Sequence, residues 1–298
     1  MYTRLLIPLD GSNVAEQVLP YARFLAKALT IPVELVGIVD PVPLADFAEV
    51  WERSDFDRLV AEETKGTTQY LDATARSFAG AQVKCSVEKG TPDEVIIAKA
   101  AADENTLIVM ATHGRSGIQR WLLGSIADKV LHGATNQLLL VRASEQGETD
   151  GEAILKTAVV PLDGSTLAEK ALSCVEELAK KMQLAVILMR AYALPAAVSA
   201  DEYGSYSEEL INQIEAEARD YLSEKLNELK LKGINNVSSV TDLGYGAEEI
   251  IALARKTPDN FIAMCTHGRS GFRRWLLGSV TERVVRHSGD PVLIVRAA

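Results

Sequence analysis

Short apolar runs that end at turns alternate along this chain with stretches in which apolar side chains recur every three or four positions. Leu5-Leu6-Ile7-Pro8-Leu9 stops at Asp10-Gly11-Ser12, the pattern of a buried strand running into a turn. Ala15, Val18, Leu19, Ala22, Leu25, Ala26 and Leu29 follow at helical spacing and predict one amphipathic helix, with Ser12 or Asn13 available as N-cap. Val33 to Val39 predicts a second buried strand, and a polar helical stretch comes next, from about Phe56 to Phe78. Beyond it lie a strand over Val83 to Val87, a turn at Gly90-Thr91-Pro92, a helix over Val95 to Ala102 and a buried strand over Thr106 to Ala111. Ser125 opens another helix, and Gln137 to Val141 is a last apolar strand. This β-α-β-α-β-α-β-α-β order, with continuous apolar strands, calls for a parallel sheet covered by helices on both faces.

The same pattern then starts again. Thr112 to Ser125, THGRSGIQRWLLGS, returns as Thr266 to Ser279, THGRSGFRRWLLGS, with two of fourteen positions changed. Ala158 to Leu162 runs into Asp163-Gly164-Ser165, Val186 to Ala191 repeats the second strand, Phe261 to Cys265 repeats the strand before the glycine segment, and Val292 to Val295 closes the series. The chain therefore reads as a tandem duplication with domains at 1–144 and 156–298. The polar, glycine-bearing residues at 145–155 have the composition of a linker.

Composition sharpens this only a little. With 47% apolar and 24% charged residues, each half can build its own core. A net charge of −10 argues against nucleic acid or an acidic membrane as partner, since both demand a positive field. Cys85, Cys174 and Cys265 are far apart with no CxxC pair, so they read as core residues rather than as a disulfide framework or zinc site. The N-terminus reaches a turn too early for a signal peptide, and the most apolar stretch, Leu184 to Val198, is broken by Arg190 and Pro195. A cytoplasmic location is expected.

In an open parallel sheet, ligands sit beyond the carboxyl ends of the strands where the strand order reverses, which points to the loops after strands one and four. Those loops carry Asp10-Gly11-Ser12 and the glycine segment. Gly114 and Gly117 let backbone N–H groups turn toward a ligand, Gly124 and Ser125 present a helix N-terminus, and Arg115 can add charge, a set that suits a nucleotide polyphosphate. Plainer readings compete. Ser125-x-x-Asp128 and Ser279-x-x-Glu282 stand where a capping box would, which makes each serine a helix cap. Asp10 and Asp163 can be turn acceptors. His113 and His267 read as structural, because no nucleophile or carboxylate is placed with them as a triad needs, and Trp121, Leu122 and Leu123 read as packing. No GxxxxGK[ST] occurs, and Gly244-Tyr245-Gly246 lacks the third glycine of a dinucleotide fingerprint.

Pro8-Leu9-Asp10 together with the glycine segment resembles the universal stress protein family, whose nucleotide-binding members carry G-x2-G-x9-G-[ST] after the fourth strand. Here the pattern reads Ala111-x2-Gly114-x9-Gly124-Ser125 and Cys265-x2-Gly268-x9-Gly278-Ser279, so the first glycine is replaced in both halves. The resemblance spans both halves and implies two tandem flavodoxin-like domains of the adenine nucleotide alpha hydrolase-like class, each with a five-stranded parallel sheet. It also implies that Pro8, Asp10 and Ile38 line the adenosine, with Met110 and Ala111 beside the ribose. Gly114, Arg115, Gly117, Gly124, Ser125 and Ile126 would hold the phosphates. The matching set is Pro161, Asp163, Ala191, Met264, Cys265, Gly268, Arg269, Gly271, Gly278, Ser279 and Val280. The implied ligand is ATP with Mg²⁺, or AMP or ADP. The implied assembly is a pseudo-dimer within the chain through Gln137 to Val141 and Val292 to Val295, open to further homo-oligomerisation. The implied role is regulation of a stress response, with a slow ATPase or phosphotransferase and a nucleotide-free interaction or chaperone-like module as rivals. The residues name no convincing catalytic base.

Overall fold

Strand β1 (Arg4–Pro8) forms where the chain has no polar side chain between Leu5 and Ile7, and all three of those residues are fully buried. The computed structural model describes residues 1–41, 53–112, 123–143, 147, 149–193, 208–266 and 277–296. They fall into two compact units, Met1–Ile154 and Leu155–Ala298.

In the first unit, β1 is followed by α1 (Asn13–Glu16), α2 (Leu19–Leu29), β2 (Val33–Val39), α3 (Arg53–Ala75), β3 (Val83–Lys89), α4 (Pro92–Ala101), β4 (Thr106–Ala111), α5 (Ser125–Gly133) and β5 (Leu138–Val141). The strand order is β3-β2-β1-β4-β5 and every pair is parallel. Leu5 is in register with Val33 on one side and with Leu107 on the other. The order thus reverses at β1 and β4. Right-handed crossovers put α2 and α3 on one face and α4 and α5, which pack together, on the other.

The second unit repeats this with β6 (Thr157–Pro161), α6 (Thr166–Met182), β7 (Ala185–Tyr192), α7 (Glu208–Leu231), β8 (Val237–Leu243), α8 (Gly246–Lys256), β9 (Asn260–Cys265), α9 (Ser279–His287) and β10 (Val292–Val295). Its parallel order is β8-β7-β6-β9-β10, reversing at β6 and β9.

Two differences from the sequence expectation have local causes. The single helix expected from Ala15 to Leu29 is broken at Gln17 and Val18, because Pro20 has no N–H to give to the carbonyl of Glu16. Ser173 holds that place in the second unit, and α6 runs without a break. The cysteines are not all core residues: Cys265 is buried, whereas Cys85 and Cys174 are half-buried.

Polar contacts shape the first unit in two further places. Glu34, buried near the start of β2, is ion-paired with Arg4, with Lys99 at 3.1 Å and with Lys84 at 3.5 Å. Residues beyond β5 lie against α2: Arg23 donates to the carbonyls of Gly151 at 2.6 Å and Thr149 at 2.5 Å, and the Ala153 N–H donates to the carbonyl of Pro20 at 3.1 Å.

Candidate functional site

At the carboxyl end of β1 the chain must reverse sharply, and Gly11 takes φ 78° to do so, a left-handed conformation that disfavours a side chain. Asp10 Oδ1 then accepts from the Ser12 N–H at 3.0 Å and from the Ser12 hydroxyl at 2.6 Å. Ser12 Oγ in turn accepts the Ala15 N–H at 3.1 Å and caps α1. The second unit reproduces the turn almost atom for atom. Gly164 has φ 84°, Asp163 Oδ1 accepts from Ser165 at 2.9 and 2.6 Å, and Ser165 Oγ caps α6 at 3.1 Å.

At the carboxyl end of β4, Thr112 is buried and its N–H continues the ladder to the carbonyl of Val141 at 2.9 Å. Its own carbonyl accepts the Gly124 N–H at 2.8 Å, so the glycine loop closes on itself at the neck. Gly278 donates to Thr266 at 2.6 Å in the same way.

The predicted capping boxes do not form. The N-cap of α5 is Gly124 (φ −60°, ψ 145°), that of α9 is Gly278 (φ −63°, ψ 143°), and neither helix start receives a side-chain cap. The neck hydrogen bond holds each glycine extended, which moves Ser125 and Ser279 one position into their helices, where both are exposed. Glu282 pairs with Arg286 at 3.1 Å. The first N–H groups of α5 and α9 therefore carry the helix-dipole positive end, and neither N-cap residue offers them a side-chain acceptor.

Around these two features lie the other predicted residues. Pro8, Asp10 and Ile38 are half-buried at the ends of β1 and β2, while Met110 and Ala111 are buried at the end of β4. Pro161, Asp163 and Ala191 are likewise half-buried, with Met264 and Cys265 buried. Ile126 and Val280 are exposed beside their helix starts. Gly114, Arg115, Gly117, Gly268, Arg269 and Gly271 lie outside the described residues, as do His113, His267, Trp121 and Leu122. Among the described residues no three His, Cys, Asp or Glu side chains converge as a metal-binding group.

The two ends of β4 and β9 differ chemically. Burial pushes the Cys265 thiol up to about 11, with the Ala171 backbone and Cys174 of α6 as its neighbours. The Cys265 carbonyl accepts from Thr281 Oγ1 at 2.9 Å; Ala127 stands at that place in α5 and offers no donor.

Residues with no motif to mark them also gather here. Tyr221 of α7 donates its hydroxyl to Glu169 Oε1 at 2.9 Å, and Lys225 pairs with Glu169 at 3.3 Å. Burial, then Glu169, pushes the Tyr221 phenol above the usual tyrosine range, with Asp163 adding to it. In the first unit burial, then Glu16, raises Tyr70 in the same way, and Asp10 contributes. One signal could have found the acids: each stands six residues after the turn aspartate, Asp10 to Glu16 and Asp163 to Glu169.

An open parallel sheet with an Asp-Gly-Ser turn and a helix start at the point where the strand order reverses defines a doubly wound α/β protein. The chain matches the model of the Universal stress protein family over residues 1–142 and 155–296, and it belongs to that family. A universal stress protein of Methanocaldococcus jannaschii is 30% identical over 142 residues, 48% of this chain and 83% of that protein. One from Mycobacterium tuberculosis is 22% identical over 303 residues, 98% of this chain and 96% of its own length. The crystal structure of a universal stress protein from Archaeoglobus fulgidus covers 100% of both chains with a TM-score of 0.71 at 18% identity, a likeness of fold.

Proposed function

We propose that each unit binds an adenine nucleotide at its switch point, ATP with Mg²⁺, or AMP or ADP, and that occupancy regulates a stress response in the cytoplasm. The observation that carries this reading is the choice of glycine at positions 124 and 278. Their backbone angles are open to any residue, so glycine is not required there by conformation. The same units cap α1 and α6 with serine. Leaving the helix starts of α5 and α9 bare forgoes a few tenths of a kcal/mol and keeps their N–H groups available to a phosphate. The Asp-Gly-Ser turn on the neighbouring strand supplies a carboxylate at the nucleoside end. A divalent ion would arrive on the phosphates, which suits a site without a dedicated protein cage.

Two variants test it. Gly124→Asp and Gly278→Asp place a helix-capping carboxylate where a phosphate would sit. The double variant is expected to unfold no more easily than the wild type in urea and to lose the heat of ATP·Mg²⁺ binding in isothermal titration. Unchanged ATP binding in the double variant, or no binding by the wild type at sub-millimolar concentration, would sink the reading. No helix among the described residues is long and apolar enough to cross a membrane.

A further inference from the structure

Helix α1 is a single turn, Asn13–Glu16, separated from α2 at Gln17 and Val18. A helix so short does not sustain itself, because forming the first turn fixes several residues for one hydrogen bond, so its order comes from what holds its two ends. One end is the switch-point turn. There Ser12 Oγ accepts the Ala15 N–H at 3.1 Å, the Ser12 carbonyl accepts the Glu16 N–H at 3.1 Å, and Asp10 fixes the Ser12 hydroxyl. The other end is Gln17, a polar residue only 4% exposed. In the second unit the same turn feeds α6, 17 residues without a break, which is far better able to hold itself.

Chain from beyond β5 covers Gln17. A Cβ built at Gly147 would fall 2.7 Å from Gln17 Nε2 and closer still to its Oε1 and Cδ, so the Gly147 backbone is seated directly on the Gln17 amide. The residues that follow run along α2. Thr149 and Gly151 offer their carbonyls to Arg23 at 2.5 and 2.6 Å, Glu152 pairs with Lys27 at 3.2 Å, and the Ala153 N–H donates to the Pro20 carbonyl at 3.1 Å. Arg23 also donates to Ser77 Oγ at 3.1 Å, which ties the clamp to the stretch after α3. None of Gly147, Thr149, Asp150, Gly151, Glu152 and Ala153 has a large apolar side chain to bury, so these polar contacts are what seat the segment. A segment held in this way opens far more readily than the core, and Arg23 supplies two of its bonds.

We propose that residues 147–153 are a strap that keeps the first switch-point turn in order through α1, so that docking of the strap and occupancy of the first site strengthen each other. The second site, backed by α6, does not depend on it. The support of the turn by the strap stands on these contacts alone. Its reciprocal effect on a ligand rests on the reading that the first switch point takes an adenine nucleotide.

The test uses the full-length chain and two variants that unseat the strap differently. Arg23→Ala removes the clamp, and Gly147→Val drives a side chain into Gln17. Both are expected to speed cleavage after Glu152 by a Glu-specific protease about tenfold, and to speed hydrogen exchange in peptides spanning residues 10–18 by a similar factor, without nucleotide present. Peptides spanning residues 163–171 keep their wild-type exchange, which reports that the chain is folded. In the Gly278→Asp background, where only the first site is intact, either variant weakens ATP·Mg²⁺ binding several-fold, and ATP·Mg²⁺ slows the cleavage of the parent protein. A strap that neither variant releases overturns the proposal, and so does release with unchanged exchange at 10–18. Unchanged ATP affinity on release overturns the coupling while nucleotide binding itself stands. If the wild type binds no ATP, the nucleotide reading fails, and the exchange data still decide whether the strap supports the turn.

Discussion

The Gly124 N–H donates to the carbonyl of Thr112 at 2.8 Å, joining the end of β4 to the start of α5 across the whole glycine segment. The bond has two effects. It gives the carbonyl of buried Thr112, the residue after β4, a partner, and it holds Gly124 in the extended conformation that makes it the N-cap. Because φ is −60°, proline fits the backbone at 124 but removes the donor. Gly124→Pro is expected to lower unfolding stability by about 1–3 kcal/mol, whereas Gly124→Ala, which keeps the N–H and gives up only the preference of an N-cap for glycine over alanine, is expected to cost less, under about 1 kcal/mol. Urea denaturation of the two variants checks this.

Acid should act on the first unit through Glu34. Burial works to raise its carboxyl, but the hydrogen bond and charge of Lys99, with the charges of Arg4 and Lys84, outweigh it and hold the group below the usual carboxylate range. A depressed native value means the contribution is present above the unfolded value and is lost as pH falls through the native one. Glu34→Gln is therefore expected to cost on the order of 3 kcal/mol near neutrality, with the gap to wild type closing below about pH 4. The second unit has Ile187 at this place and no such term. Denaturation across pH, followed by a probe in each unit, separates the two.

Close packing at Gly37 makes the first unit sensitive to one methyl group. Gly37→Ala drives a Cβ to 2.3 Å from Thr67 Cγ2 and is expected to cost about 1–3 kcal/mol. At the matching position of β7 the Arg190 guanidinium lies 4.8 Å from the centroid of the Tyr221 ring. Arg190→Ala loses this cation–π contact and should cost only about 0.5–1 kcal/mol. Thermal melts of both variants give the comparison, and a larger loss from Arg190→Ala would contradict it.

Reactivity of Cys265 follows from its surroundings. Its thiol is 5% exposed and pushed up to about 11 by burial, so it remains protonated and shielded across the physiological range. Iodoacetamide at about pH 8 should leave Cys265 unmodified in the folded protein and alkylate it once urea is added. Mass spectrometry of tryptic peptides reads the site directly, and rapid alkylation of the native chain would refute the assignment.

The duplication, the parallel α/β class and the central strands were legible because hydrophobic periodicity is a property of neighbouring residues. Thr106 to Ala111 and Val292 to Val295 have the bounds that their apolar runs predict. The Asp-Gly-Ser turns were legible for the same reason, since their hydrogen bonds span two or three residues. The cap of α5 was not. Ser125-x-x-Asp128 satisfies the capping pattern as written, but the helix start is set by a bond between Gly124 and Thr112, and that bond exists only once β4 and α5 are in place. The partners of Tyr221 were equally hidden. Glu169 lies 52 residues away, and Arg190 reaches the ring from β7. Sequence alone determined which segments become strands and which turns close them, through local rules of spacing and turn chemistry. Only the tertiary structure decided where α5 and α9 begin, and that Arg190 lies over the Tyr221 ring while Glu169 is engaged by Tyr221 and Lys225. Those outcomes depend on how closely helices pack on the sheet, a distance that no local pattern encodes.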